Sequence, residues 1–310
     1  MIRVKPSFYD RFSCKGSRCR HNCCIGWEID IDPDTAAFYK TEDGVLGSEL
    51  LKKISWEEPA HFILCADGRC PFLDGDNLCR IILQLGEDAV CDICALHPRF
   101  FNDYPGREES GLGLCCEEVV RLLMEAPELR FTVETESTAE DGDEWVAYLA
   151  RVRTKLLDSL RETDQALPLR LDRCANTLKM ALPIFDLREW ISFFLQLERM
   201  DQNWGVMLER LKHLAGSAPD VNTLNDPRYG KILSYLLFRH FLTAETEEDA
   251  RLIFAFTVLA VMLIAALDES DPKERDEHLR LFSAEIEYSD ENMERIFAKL
   301  RERFAFGGSV

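Results

Sequence analysis

No run of lysines or arginines occurs anywhere in the chain, and with a formal net charge of −19 its field repels the phosphates of a duplex or a membrane surface. Neither nucleic acid nor membrane is expected as a partner. The segment Met1-Ile-Arg-Val-Lys-Pro-Ser-Phe-Tyr-Asp does not contain the ~7–15 apolar residues of a secretory leader, so a cytoplasmic location is expected. The longest apolar stretch, Leu252 to Leu267, falls short of the ~20 residues that cross a bilayer and has acidic residues on both sides. It reads as a buried core helix. No Gly-x-Gly-x-x-Gly follows a strand, which removes the usual Rossmann donor site, and neither internal repeats nor low-complexity segments are visible. Disorder is not expected either, because 46% of the 310 residues are hydrophobic, enough for a sizeable core.

Cysteine, by contrast, is abundant and unevenly placed: of twelve, all but Cys174 precede residue 117. A disulfide framework is a poor explanation in a reducing compartment, so metal ligation is the expected use. Four groups stand out: Cys14-x4-Cys19-x3-Cys23-Cys24, Cys70-x8-Cys79, Cys91-x2-Cys94 and Cys115-Cys116. Soft thiolates suit both iron–sulfur clusters and zinc. The spacings match neither the ferredoxin runs nor paired zinc-ribbon units, so both metals stay open at this point. Cys65 and Cys174 are read as structural thiols, since buried free cysteine is common.

The two halves differ in secondary structure as well. Residues 1 to about 116 alternate short apolar pieces with turn signals such as Asp67-Gly68 and Asp74-Gly75-Asp76-Asn77. A short half-buried strand is predicted at Trp27–Asp32, a helical turn at Asp34–Tyr39 capped by Asp32 or Asp34, and helices at Ile81–Leu85 and Cys116–Glu125. Beyond an acidic connector around Glu134–Asp143 the pattern predicts helices near 143–163, 169–181, 186–214, 226–243, 247–268, 274–287 and 290–304, separated by Pro168, Pro183, Pro219, Pro227 and Pro272. Thr246-Glu-Glu-Asp249 has the form of a capping box. The expected fold class is mainly α: a loop-rich cysteine-cluster metal-binding domain with short strands over 1–130, then an all-α domain over 140–310.

The series Phe12-Ser-Cys14-Lys-Gly16-Ser-Arg-Cys19-Arg-His-Asn-Cys23-Cys24-Ile-Gly26-Trp27, Cys70-Pro-Phe-Leu73, Cys79-Arg, Cys91-Asp-Ile-Cys94-Ala-Leu-His97-Pro98-Arg99 and Leu114-Cys-Cys116-Glu117-Glu-Val-Val-Arg121 resembles the flagellin lysine N-methylase family, itself similar to a zinc- or iron-chelating cysteine-cluster domain. The resemblance covers roughly residues 8 to 125. It implies a bacterial cytoplasmic enzyme that methylates lysine amines of flagellin with S-adenosylmethionine and carries a [4Fe–4S] cluster. On matching positions the implied ligands are Cys14, Cys19, Cys23, Cys24, Cys70, Cys79, Cys91, Cys94 and Cys116. Nine sulfurs exceed the needs of one cluster, which leaves either a second site or several non-ligating thiols. The Cys-x3-Cys-x2-Cys element of radical enzymes is absent, Cys19-x3-Cys23-Cys24 coming closest.

Methyl transfer to lysine requires a neutral amine, yet its pKa of about 10.4 keeps it protonated at neutral pH. A base or a desolvated slot is therefore expected. His97, Tyr104 and Glu117 lie near the cysteine groups as potential bases, against the plainer readings of a packing histidine and a helix-capping glutamate. Arg99 could clamp the donor's carboxylate or balance a thiolate cluster, or pair with Asp103 or Glu108. Trp27 could stack on adenine or a sulfonium, or belong to the core. A noncatalytic zinc or iron–sulfur module for partner recruitment or redox sensing would use the same thiols.

Overall fold

The computed structural model describes residues 1–135, 142–214, 224 and 226–304. Pro219 and part of the acidic connector lie outside them. The chain divides into two compact units, a larger one of Met1–Phe12, Phe101–Cys115 and Val119–Val310 and a smaller one of Ser13–Phe100 with Cys116–Glu118. Unlike the division at 130–140 expected from cysteine content, the amino-terminal residues go with the helices because strand pairing takes them there.

That pairing begins with β1 (Ile2–Pro6), whose alternation buries Val4 and Pro6. In the smaller unit, α1 (Pro33–Thr41) starts with proline in its first turn, and its N-cap Asp32 accepts the Thr35 amide at 2.8 Å. Then come α2 (Gly44–Lys53), the two-residue strands β2 (Ile54–Ser55) and β3 (His61–Phe62), α3 (Arg80–Leu85) and α4 (Asp92–Leu96). The predicted strand at Trp27–Asp32 is corrected. Ile29 and Ile31 are buried, Glu28 and Asp30 are exposed and Asp32 is half-buried, yet only the isolated bridge of Asp30 with His61 forms. Alternation sets which side chains turn inward, but a ladder needs a longer partner than His61–Phe62 supplies. Tyr39, Leu50, Ile54, Phe62, Phe72 and Ile81 form the core of this unit, with Cys70 and Cys91 buried among them.

β4 (Arg99–Tyr104) and β5 (Arg107–Leu112) turn at Pro105-Gly106, where Gly106 takes φ 72°. After α5 (Glu117–Glu125), β6 (Phe131–Thr135) completes a four-stranded sheet in the order β4-β5-β1-β6. β1 runs parallel to β5 (Ile2 opposite Arg107) and antiparallel to β6 (Val4 opposite Val133). Composition gave no hint of this sheet, because each strand is only five or six residues long. Glu109 of β5 is fully buried and joined to Arg153 at 2.7 Å.

The larger unit continues with α6 (Glu144–Arg161), α7 (Leu167–Thr177), α8 (Leu187–Phe194), α9 (Gln202–Leu214), α10 (Pro227–His240), α11 (Glu247–Ser270), α12 (Arg275–Phe282) and α13 (Asp290–Arg303). Among the described residues α11 is the one helix long and apolar enough to cross a membrane, and 94% of its apolar window is buried inside the protein. It packs against α8, α9, α10, α12 and α13. The expected capping box is present: Asp249 N donates to Thr246 Oγ1 at 3.1 Å. Two predicted helices are corrected. The span 186–214 is broken between α8 and α9, and the span 274–287 ends in a π-helical turn over Ser283–Glu287.

Candidate functional site

The cysteine groups are positioned by polar anchors in the smaller unit. Ile25 bridges Arg69 in antiparallel pairing, and Cys70 N donates to the Cys24 carbonyl at 2.7 Å. This register sets Cys24 directly opposite Cys70, a placement that brings Cβ atoms to about 4.5–5.5 Å. The Asn22 side chain fixes the local turn by accepting the Cys24 amide at 2.9 Å and donating to the Asn77 carbonyl at 3.3 Å. Between Cys70 and Cys79 the chain winds about Asp74, whose Oδ1 accepts from Asp76 N at 2.9 Å and Leu78 N at 2.8 Å. Leu73 bridges Cys79 across that loop. Asp32 uses its second oxygen to accept the Asp92 amide at 3.0 Å, which ties the start of α4, and with it Cys91 and Cys94, to the start of α1.

The thiols are gathered in pairs. Cys24 donates to Cys23, which lowers the Cys23 pKa and raises that of Cys24, and Cys94 stands in the same relation to Cys91. Burial, reinforced by the charges of Cys79, Cys65 and Cys91, pushes Cys70 up to about 11. Burial likewise raises Cys19 to about 12, with Glu117, Cys116 and Cys23 as its charged neighbours. Cys14 is exposed and accepts the Gly16 amide at 3.4 Å. Among the described residues no three His, Cys, Asp or Glu side chains stand in metal-ligating geometry. The donor set nevertheless fits a soft metal. Of the candidate ligands, Cys70 and Cys91 are buried, Cys14 and Cys94 are exposed and the others are half-buried; thiolates brought close together resist ionising side by side, a cost that a bound soft cation would remove.

The other residues singled out from sequence do not form one constellation. His97 is half-buried, with its ring centroid 6.4 Å from that of Trp27, and burial lowers its pKa to about 4. Trp27 packs against the apolar core. Arg99 opens β4, half-buried. The Glu117 carboxylate is held by Lys15 Nζ at 3.1 Å and accepts the Arg20 amide at 3.1 Å. Tyr104 falls in the larger unit. Its buried hydroxyl has no hydrogen-bond partner, and desolvation together with Glu109 lifts its pKa to about 12. Cys65 is exposed, Cys115 and Cys174 are buried, and Cys174 donates to the Leu156 carbonyl at 3.6 Å. What sequence reasoning missed is the long-range part of the scaffold: the bond of Asn22 to the Asn77 carbonyl, the pairing of Arg69 with Ile25, and the second bond of Asp32, to Asp92.

No protein-family model matches the chain, and no solved structure matches it. Curated proteins do. A lysine-N-methylase of Salmonella typhimurium (strain LT2) is 34% identical over 135 residues, 40% of this chain and 33% of the relative. A lysine-N-methylase of Salmonella choleraesuis has the same identity and coverage, so the match spans about a third of the length of these two relatives. The flagellar biosynthetic protein FliU of Salmonella muenchen is 33% identical over 135 residues, which make up 78% of that protein. Most of FliU is thus matched by this chain, which belongs to the flagellin lysine N-methylase family.

Proposed function

We propose that the protein is a protein-lysine N-methyltransferase that acts on flagellin or a similar protein, takes its methyl group from S-adenosylmethionine and holds an iron–sulfur cluster of the [4Fe–4S] type on its thiols. The observation that carries this proposal is the 34% identity to proteins named lysine-N-methylase. The relative named for flagellar biosynthesis supports a flagellar substrate, and the paired thiols of the smaller unit support the metal.

A bound cluster would supply iron with redox and Lewis-acid character beside Cys24, Cys70, Cys91 and Cys94. In the transfer itself the lysine nitrogen forms a bond to the methyl carbon while the carbon–sulfur bond breaks and its electron pair stays on sulfur. The proton that leaves the ammonium must have gone first. Glu117 is already engaged by Lys15 and Arg20, and Tyr104, with a pKa near 12, stays protonated and can act only as a donor. His97, near 4, is neutral but too weak to hold a proton from a group of pKa about 10.4. Its part is to accept a hydrogen bond from an amine that has released its proton to solvent, in a site where desolvation lowers the amine pKa. The Trp27 face beside it attracts a sulfonium or ammonium, and Arg99 is suited to the donor's carboxylate.

Incubation of anaerobically purified protein with flagellin and methyl-labelled S-adenosylmethionine is expected to label lysine side chains, read by peptide mass spectrometry. Protein that carries its metal yet transfers no label to flagellin or another protein would overturn the assignment.

A further inference from the structure

We infer that the nine thiols serve two soft-metal centres: an outer one of Cys14, Cys19, Cys23 and Cys116 around the first turn of α5, and an inner one drawn from Cys24, Cys70, Cys79, Cys91 and Cys94. The inference rests on the proposal that these thiols bind metal and adds how they are shared.

The outer grouping follows from where the chain is pinned. Lys15, next to Cys14, reaches Glu117 at 3.1 Å and Glu118 at 3.4 Å. Arg20, next to Cys19, gives its amide to Glu117 at 3.1 Å. Both anchors converge on the residues that follow Cys116, which brings the segments that carry Cys14, Cys19 and Cys116 to one helical turn. Cys23 joins them from the same short loop, four residues on from Cys19, whose Sγ donates to the intervening His21 carbonyl at 3.1 Å. Because Glu117 and Glu118 are occupied by Lys15, with Arg20 also on Glu117, the donors left at this turn are sulfur, the set that suits tetrahedral zinc or an iron–sulfur cluster.

The inner grouping sits on different anchors. Cys24 is locked opposite Cys70 by the Asn22 bond and the Cys70 amide. Cys79 comes back by the Asp74 turn, and Cys91 with Cys94 is placed by the Asp32 bond to Asp92. Cys70 and Cys91 are buried in the apolar core, with Cys24 and Cys79 packed against it. The vicinal pair Cys23-Cys24 is where the two groups part, one thiol committed to each.

Metal and sulfide analysis with Mössbauer spectroscopy on the anaerobically purified full chain tests this without reference to activity. The expected content is that of two centres, either two clusters or one cluster and about one zinc per chain. The double variant Cys19→Ser/Cys116→Ser should lose one centre and keep the other, and Cys70→Ser/Cys91→Ser should do the reverse. Should the core variant fail to fold, the wild-type stoichiometry still decides. A single centre in the wild type, or loss of all metal from a Cys19→Ser/Cys116→Ser protein that keeps its helical circular dichroism, overturns the two-centre assignment and leaves the methyltransferase proposal standing. Wild-type protein with neither iron nor zinc would sink the metal part of that proposal as well.

Discussion

Asp32 shows how much one carboxylate decides. One oxygen caps α1 through Thr35 and the other holds the amide of Asp92 at the start of α4. Replacement Asp32→Ala removes both bonds, and at roughly 1 kcal/mol per cap the unfolding free energy should fall by about 2 kcal/mol in a denaturant titration. An unchanged midpoint would show that neither bond matters. The cap on α1 was visible in sequence, since an aspartate before Pro33 is a helix-start signal, but the tie to Asp92 joins residues sixty apart and leaves no local trace. Gly113 is opaque for the same reason: a Cβ there would lie 1.9 Å from the Tyr288 hydroxyl, a neighbour from the far end of the chain.

Among the elements, those with strong local signals were legible. The Thr246 cap, the apolar run of α11 and the prolines that begin α1 and α10 are written in adjacent residues. The break between α8 and α9 is not, because Leu195–Asp201 contains neither proline nor glycine. Tertiary partners end the helix there. Glu285 accepts the amides of Met200 at 3.0 Å and Asp201 at 2.8 Å, while Asn292 accepts the Glu198 amide and donates to the Glu198 carbonyl, each at 3.0 Å. Asn292 also donates to the Glu285 carbonyl at 2.8 Å. Since each buried group left unpaired costs about 1–3 kcal/mol, Asn292→Ala should lower the unfolding free energy by roughly 2–4 kcal/mol. Differential scanning calorimetry that finds the melting temperature unaltered would contradict that role.

For the molecule as a whole, acid stability should be governed by the buried charges of the helical unit. Glu287 lies 2.7 Å from His240 and 3.5 Å from Arg239. Burial alone would raise its carboxyl, but Arg239 and His240 hold it at about 2, against 4.5 when unfolded. A depressed carboxylate stabilises above its unfolded pKa, and that contribution, on the order of 3 kcal/mol, is lost as pH falls from 4.5 towards 2. His240 acts in the same direction, since burial lowers its pKa from 6.5 and the unfolded chain takes up its proton first. Stability should therefore decline as pH drops below about 6.5 and steeply below 4.5, followed by urea unfolding across pH. The lower limb should flatten in Glu287→Gln, and an unaltered limb would assign the acid sensitivity elsewhere.

Composition and local pattern were enough to establish a mainly helical chain and a buried central helix, because burial periodicity and caps are properties of neighbouring residues. The tertiary structure decided what depends on distant partners: the small sheet that carries residues 1–12 into the helical unit, the helix break at Glu198–Asp201, and the register that sets Cys24 opposite Cys70. A thiol's neighbours in space are chosen by the loops that carry it, and those loops are held by single polar residues whose partners lie tens of positions away.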